Sequence, residues 1–277
     1  MRDLTVLTLN LLSPGHAVWP KRRTLIREGL RRLAPDVIAL QECARTDDYD
    51  DAADLLGNEY QTIWHSRRSN DGVGAVLGSR HPIRLVSEID LRVTPRVTLP
   101  WAAAVLAEIE LPPPLGRILV AHHKPTYEHG YGLERELQAV ACARAIDEHL
   151  ADHNQPAVVL GDFDDTRDAA SLRFWTGRQS LHGMSVAYRD AWAAVHPTDP
   201  GLTFDPRNAL VRAGEMSLEL GRRIDYVLVR SGIHGPGLDV TRCSRVFDEP
   251  IDGIWASDHF GVLARFALPD HQPGCWI

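Results

Sequence analysis

The sequence is poor in cysteine, and it contains no long apolar run. Its 277 residues include only four cysteines, and none of them forms a CxxC pair. This scarcity excludes a disulfide framework and favours free thiols in a reducing compartment. We find no segment long and apolar enough to span a membrane, and no basic stretch followed by an apolar run that marks a secretory signal. We therefore expect a cytoplasmic protein with no membrane span.

The sequence also lacks an excess of basic charge. It has 37 Asp and Glu residues against 30 Lys and Arg residues, which gives a formal net charge of -7. A protein that binds nucleic acid nonspecifically usually carries a basic surface, so this balance favours a smaller substrate, although a local basic groove is compatible with an acidic total. Five early arginines are interpreted as the solvated face of a predicted helix, namely Arg22, Arg23, Arg27, Arg31 and Arg32.

Hydrophobic residues make up 44% of the chain, enough for one sizeable core. We find no repeat and no confident linker, so we predict a single domain over residues 1–277. Short apolar runs rich in β-branched residues alternate with helical spacing. The predicted strands are 4–9, 37–40, 73–77, 103–111, 117–121, 157–160, 224–229 and 262–266, with helices near 25–33 and 133–141.

Polar residues follow these strands at the points where loops begin, or open the strand at 224–229. Sites in layered α/β proteins are built at such ends, because the sheet fixes the side chains while the loops admit a ligand. Carboxylate and amide oxygens suit a hard cation such as Mg²⁺ or Mn²⁺, and like charges converge favourably only around a cation. Any one of these residues alone is better explained as a turn former; the set is not. It comprises Asn10, Glu42, Asp162, Asp164, Asp225 and Asp258.

Together these segments resemble the successive motifs of the endonuclease/exonuclease/phosphatase superfamily, the DNase I-like phosphoesterases. The resemblance covers residues from about 4 to about 266, and each motif alone is short. The motifs, in order, are Thr8-Leu9-Asn10, Leu40-Gln41-Glu42, the strand 74–80 (GAVLGSR), Gly161-Asp162-Phe163-Asp164, Arg223-Ile224-Asp225 and Ser257-Asp258-His259.

The resemblance implies an α/β (α+β) fold, a four-layer sandwich of two packed, mostly antiparallel β-sheets flanked by helices. It implies a metal-dependent phosphoric ester hydrolase that uses Mg²⁺ or Mn²⁺. The implied metal ligands are Glu42, as the principal one, with Asn10 and Asp258 beside it. Asp162 is implied as the group that activates water or protonates the leaving group. The implied phosphate contacts are His259, held by Asp225, and His123 on the other side.

General chemistry supports these roles. Phosphoester hydrolysis builds negative charge on oxygens, which a cation and preorganised donors stabilise. An Asp beside a His fixes its tautomer and raises its pKa, so that it can donate to phosphate.

Two departures from the family pattern affect the expected chemistry. Position 164 is Asp where relatives often have Asn, and an ionised Asp cannot donate to a phosphate oxygen. We expect Asp164 to bind metal or to lie against a cation such as Lys124; a protonated, donating Asp164 is the alternative. The run His122-His123-Lys124 stands where many relatives have Thr-His-Leu, so His122 is an alternative to His123.

Several alternatives stay open. The substrate is a phosphate ester, either a small molecule or nucleic acid, so a nuclease is the second hypothesis, and no protein partner is implied. A non-catalytic binding module on the same fold would have lost these residues, and they are all present. A zinc hydrolase built on His149 and His153 is a third class, although a polar helix end explains that pair better. Trp255 is the best candidate for stacking on a substrate ring, and the loop 204–208 for substrate selection.

Overall fold

The computed structural model describes residues 3–271 and 273–275. Within them the chain forms thirteen strands, six α-helices and one 3₁₀ turn at Gly57–Glu59. The helices are α1 Trp19–Leu33, α2 Asp51–Leu56, α3 Gly132–Ala151, α4 Ala170–Trp175, α5 Ala191–Val195 and α6 Ala209–Ala213. The strands are β1 Asp3–Asn10, β2 Val37–Ala44, β3 Gln61–Trp64, β4 Val73–Ser79, β5 Ile83–Asp90, β6 Ala103–Glu110, β7 Arg117–Lys124, β8 Ala157–Asp162, β9 Tyr188–Asp190, β10 Asp225–Gly232, β11 Gly235–Pro236, β12 Asp239–Val246 and β13 Gly261–Ala267.

The strands form two sheets, ordered β12-β13-β1-β2-β4-β3 and β11-β10-β8-β7-β6-β5, with β9 beside β10. Each sheet is antiparallel except for one parallel pair of strands. This pair is β1 with β2 in the first sheet and β7 with β8 in the second. A parallel pair needs a long crossover, and α1 and α3 supply it. The expected fold, two packed and mostly antiparallel sheets flanked by helices, is confirmed.

Three apolar layers hold the sandwich together. The inward faces of both sheets form one core, which includes Val6, Val120 and Val227. The outer face of the first sheet packs against α1 and α2, and that of the second against α3 and α4. Side chains alternate along a strand, so a residue's parity decides whether it faces the other sheet or a helix.

The five-arginine interpretation of α1 is wrong at Arg22, which is buried. Its guanidinium donates to the backbone carbonyls of Leu11, Leu12 and Ala256, and also to those of Ser13 and His16. Because burial outweighs the attraction of Asp258, Asp51 and Glu42, its pKa falls to about 10. Arg22 thus ties the loop after β1 to the segment before Ser257.

The remaining observations concern the cysteines, the N-terminal cap of α5 and the hydropathy of the helices. The four cysteines are free: Cys43, Cys142 and Cys243 are buried and Cys275 is exposed. Asp190 caps α5 by accepting from the amides of Trp192 and Ala193, and it pairs with Arg223. In the described ranges, no helix combines the length and hydropathy needed to cross a bilayer.

Candidate active site

Four polar side chains stand where the core between the sheets meets one end of the sandwich. Asn10, Lys124 and Asp162 end β1, β7 and β8, and Asp225 begins β10, which runs antiparallel to β8. On each of these strands, every second residue counted from the polar one belongs to the core between the sheets. Because side chains alternate between the two faces of a strand, all four polar side chains point into the space between the two sheets, just beyond the last apolar layer.

Glu42 reaches the same place through a break in that alternation. A β-bulge separates Gln41 from Cys43 in the pairing of β2 with β4, and Glu42 has φ 57°. Regular alternation would send Glu42 to the helix side with Leu40, whereas the bulge re-aims it into the site. Asp164 also has a left-handed backbone, with φ 54°. Such conformations cost about 1–3 kcal/mol and persist where the surroundings impose them.

The carboxylates are joined by two nitrogen donors. The Asn10 amide donates to Glu42 Oε1 and to Asp162 Oδ2, both at 3.0 Å, and the Ser13 backbone amide donates to Glu42 Oε2 at 3.2 Å. Lys124 Nζ donates to Asp162 Oδ2 at 2.9 Å and to Asp164. The expectation that Asp164 lies against Lys124 therefore agrees with the geometry.

The buried charges shift one another's pKa values. Burial opposes ionisation of Asp162, but Lys124 and His259 lower its pKa to about 2. Burial and repulsion by Asp162 raise the pKa of Asp164 to about 7, even though Lys124 opposes this. The pKa of Lys124 is raised by the two aspartates against the effect of burial. Asp162 is thus the firmly ionised member of the pair.

His259 and Asp225 form a second ion pair. His259 Nδ1 lies 3.0 Å from Asp225 Oδ2, and Thr203 Oγ accepts from the Asp225 amide at 3.2 Å. Burial alone would lower the pKa of His259, but Asp225 and Asp162 raise it well above the usual value. The ion pair therefore favours the protonated, cationic form of the ring, and Nε2 is the nitrogen left to donate to a ligand.

The ligating atoms of Asp162, Asp225 and His259 lie within 4.8 Å of one another, but His259 already supplies a cation there. In the described part of the chain, Glu42 and Asp258 make no ion pair as close as that of His259 with Asp225, although the charge of Arg22 attracts both. The pKa of Asp258 is raised by burial and further by the charge of Glu42, although His259 opposes this. Two carboxylates that repel each other fit a hard divalent cation, which stabilises both charges.

His123 does not reach the site, which corrects the predicted placement. The strand runs on to Lys124, so the side chain of His123 faces the helices instead of the other sheet. Its ring is buried 5.0 Å from the ring of Phe163 and 5.8 Å from that of Trp175, centroid to centroid. Burial, followed by the charge of Lys124, lowers its pKa to about 3.

His122 takes the inward position but also lies below the cleft. Gln41 Nε2 donates to His122 Nε2 at 2.8 Å and to Thr8 Oγ at 3.1 Å, and His122 Nδ1 lies 3.2 Å from His65 Nε2. This buried chain of hydrogen bonds supports Gln41, the residue before the Glu42 bulge.

The two histidines are expected to respond differently to replacement. His123→Leu should keep activity within a few-fold, because the ring stands among apolar groups. His122→Leu should lower activity and stability together, since unpairing buried Gln41 and His65 costs about 1–3 kcal/mol per group. Turnover and Tm measured side by side test this. A folded but inactive His123→Leu protein would return His123 to the site.

A cleft of about 810 Å³ opens above these residues. Its lining includes Leu99, Trp101 and Tyr127, and also residues of the 204–216 region such as Phe204 and Met216. Phe204, from the loop expected to select substrate, packs against the His259 ring at 5.2 Å. The lining does not include Trp255, the residue predicted to stack on a substrate ring, and the Trp255 ring lies 5.8 Å from that of Phe260. Trp101 does line the cleft.

The fold and the carboxylate-lined cleft between the sheets define a phosphoesterase or nuclease type of α/β sandwich. The chain belongs to the Endonuclease/Exonuclease/phosphatase family, whose model matches residues 7–259. No curated protein sequence matches the chain.

Solved structures share the fold at low sequence identity. D. rerio TDP2 complexed with a single strand DNA product is 16% identical, with TM-score 0.71 over 95% of this chain and 98% of that one. The human Nocturnin catalytic domain with bound sulfate is 21% identical, with TM-score 0.70 over 97% and 94%. An endonuclease/exonuclease/phosphatase from Bacteroides vulgatus is 20% identical, with TM-score 0.70 over 97% and 100%.

Proposed function

We propose that this protein is a divalent-metal-dependent phosphoester hydrolase that attacks phosphorus with an activated water. The observation that carries the proposal is the convergence, in one cleft, of an ionised carboxylate, two cationic side chains and a pair of mutually repelling carboxylates. They are Asp162, Lys124 with His259, and Glu42 with Asp258. A non-catalytic binding module would not need an ionised base beside a cationic donor.

The proposed roles follow from position. Glu42 and Asp258, with Asn10 beside them, hold Mg²⁺ or Mn²⁺, which supplies positive charge to the phosphoryl oxygens. Asp162 orients and deprotonates the water, because its low pKa keeps it ionised while Lys124 and Asn10 fix its position. His259, held by Asp225, donates to a phosphate oxygen.

The cleft walls favour a compact phosphoester with an apolar or aromatic group. Outside the charged centre most of the lining residues are apolar, and among the described residues the lysine and arginine side chains that line the cleft are Lys124 and Arg222. Both are already paired, Lys124 with Asp162 and Asp164, and Arg222 with Glu219. A polyanion needs a track of free cations, whereas a single phosphate with an apolar substituent does not.

Nuclease activity is the second candidate. It is supported by the likeness to D. rerio TDP2, which was solved with a single strand DNA product. Trp101 and Tyr127 at the cleft offer aromatic faces on which bases can stack.

A substrate panel after removal of metal tests the proposal. Protein stripped with chelator should be inactive and should regain turnover with Mg²⁺ or Mn²⁺ on bis(p-nitrophenyl) phosphate or p-nitrophenyl phosphate. Faster cleavage of a single-stranded DNA oligonucleotide at equal concentration would select the nuclease. Full turnover in excess chelator would contradict the metal requirement, and no turnover on any member would favour the binding module.

A further inference from the structure

The buried guanidinium of Arg22 joins two backbone segments that lie next to the proposed metal ligands. Its Nη1 donates to the Leu11 carbonyl at 2.7 Å and to the Ala256 carbonyl at 3.0 Å. Its Nη2 donates to the Leu12 carbonyl at 2.7 Å and to two further carbonyls of the same loop. A guanidinium held by five carbonyls cannot shift without moving both segments, so it fixes their separation.

Two of these carbonyls share a peptide group with an amide that reaches the site. The Leu11 carbonyl and the Leu12 N–H belong to one planar group, and this N–H donates to Asn10 Oδ1 at 3.0 Å. The Leu12 carbonyl and the Ser13 N–H belong to the next group, and this N–H donates to Glu42 Oε2 at 3.2 Å. The C=O and N–H of a trans peptide point in opposite directions. The guanidinium therefore holds one edge of each group while the other edge faces a side chain of the site.

The first of these amides decides which way the Asn10 side chain faces. A backbone N–H can only donate, so Asn10 Oδ1 must face Leu12 and Nδ2 must face the carboxylates. Nδ2 then donates to Glu42 and to Asp162, at 3.0 Å in each case. The orientation of one peptide group thus aligns two of the carboxylates that the proposed reaction uses.

The backbone of Leu12, which lies between the two peptide groups, is left-handed, with φ 52°. Residues that carry a β-carbon rarely adopt this conformation, and it persists where the surroundings impose it. The hydrogen bonds from Arg22 to the carbonyls of Leu11 and Leu12 supply that constraint. The conformation of the loop is therefore set by the guanidinium more than by local preference.

The same guanidinium also holds the segment that carries Asp258. The residue after Ala256 is Ser257, whose buried hydroxyl donates to Asp258 Oδ1 at 3.2 Å and accepts from the His259 amide at 3.2 Å. Because one guanidinium binds the Ala256 carbonyl and the loop that holds Glu42, it sets the distance between the two carboxylates proposed to share the cation.

We infer that Arg22 is a positioning residue for the metal site, and that the affinity for Mg²⁺ or Mn²⁺ depends on it. The inference rests on the proposed function, since it concerns the same ion. Charge and positioning have opposite effects here. A cation that acted only through its charge would repel the metal ion, so neutralising it would tighten binding. A cation that positions the ligands would weaken binding when it is replaced.

Binding of Mn²⁺ to metal-free protein, measured by calorimetric titration, tests the inference. Arg22→Gln should weaken binding by at least about 10-fold, as for other groups that support metal ligands. Arg22→Lys keeps the charge, but its compact ammonium cannot span both peptide groups and the Ala256 carbonyl, so it should also weaken binding. Arg31→Gln, at an exposed position of the same helix, is the matched control and should bind as wild type. Titrations run well below the Tm of each variant compare folded proteins, so lost stability alone leaves Kd unchanged.

Amide hydrogen exchange in metal-free protein gives a second measurement that does not need a folded variant. The Leu12 and Ser13 amides should be protected in wild type and in Arg31→Gln, and should exchange faster in a folded Arg22→Lys protein. Equal or tighter Mn²⁺ binding by Arg22→Gln, or rapid exchange of both amides in folded wild type, would overturn the inference alone. Wild-type protein that binds no Mn²⁺ would overturn the proposed metal requirement and this inference with it.

Discussion

Replacement of Asp162 by Asn is expected to lower turnover by about 10²–10⁴-fold, the usual range for loss of a general acid or base. The carboxylate is buried, accepts from Lys124 at 2.9 Å and from Asn10 at 3.0 Å, and has its pKa lowered to about 2. Asn keeps the shape but cannot take a proton from water. Lys124 keeps Asp164 as a partner, so the fold should persist.

The measurement is the turnover number at saturating metal and substrate, with Tm as the test of folding. Asp168→Asn is the matched control, because its side chain is 87% exposed and close in sequence. It should behave as wild type. An Asp162→Asn protein within a few-fold of wild type would remove Asp162 from the proton-transfer role.

Glu42→Gln should raise the metal concentration needed for half-maximal activity by at least about 10–100-fold, a range found even for residues that only support metal ligands. Gln keeps an acceptor for the Asn10 amide but loses the charge that, with Asp258, fits the cation. Activity is measured against Mg²⁺ and Mn²⁺ concentration. Glu59→Gln, at a side chain that is 72% exposed, is the control. An unchanged metal curve would exclude Glu42 as a ligand.

Most of the strands that the sequence predicted are buried on both faces, such as β1, β2 and β8. Such strands are continuous apolar runs and are easily seen. The edge strands β3, β5 and β12 were not predicted, because they mix exposed polar positions with single apolar ones. Their pairing depends on the neighbouring strand more than on their own pattern.

The site was predictable where side chains follow the strand period and less so elsewhere. Asn10, Asp162 and Asp225 meet because each continues the inward face of its strand. Glu42 needs a bulge that its sequence does not mark. In β7 both faces are apolar, so the alternation could not say whether His122 or His123 faces inward.

The cleft walls were the hardest part to foresee. Trp101 and Tyr127 lie in turns and loops with no periodicity, and only the folded chain brings them to the cleft. Arg22 was misjudged for a related reason, since a helix pattern shows which face is polar but not that a loop closes over one arginine.

The position of β13 has a consequence for how the protein is made. This strand lies between β12 and β1, with Asp3 opposite Ala267, and Asp258 and His259 directly precede it. Synthesis proceeds from the N-terminus at about 5–20 residues per second, so β1 waits for most of translation with one side unpaired. Exposed strand edges favour association with other chains. We expect nascent chains that stop before residue 258 to aggregate or to need a chaperone, and to hold no metal, because the segment from Asp258 through β13 completes both the site and the sheet.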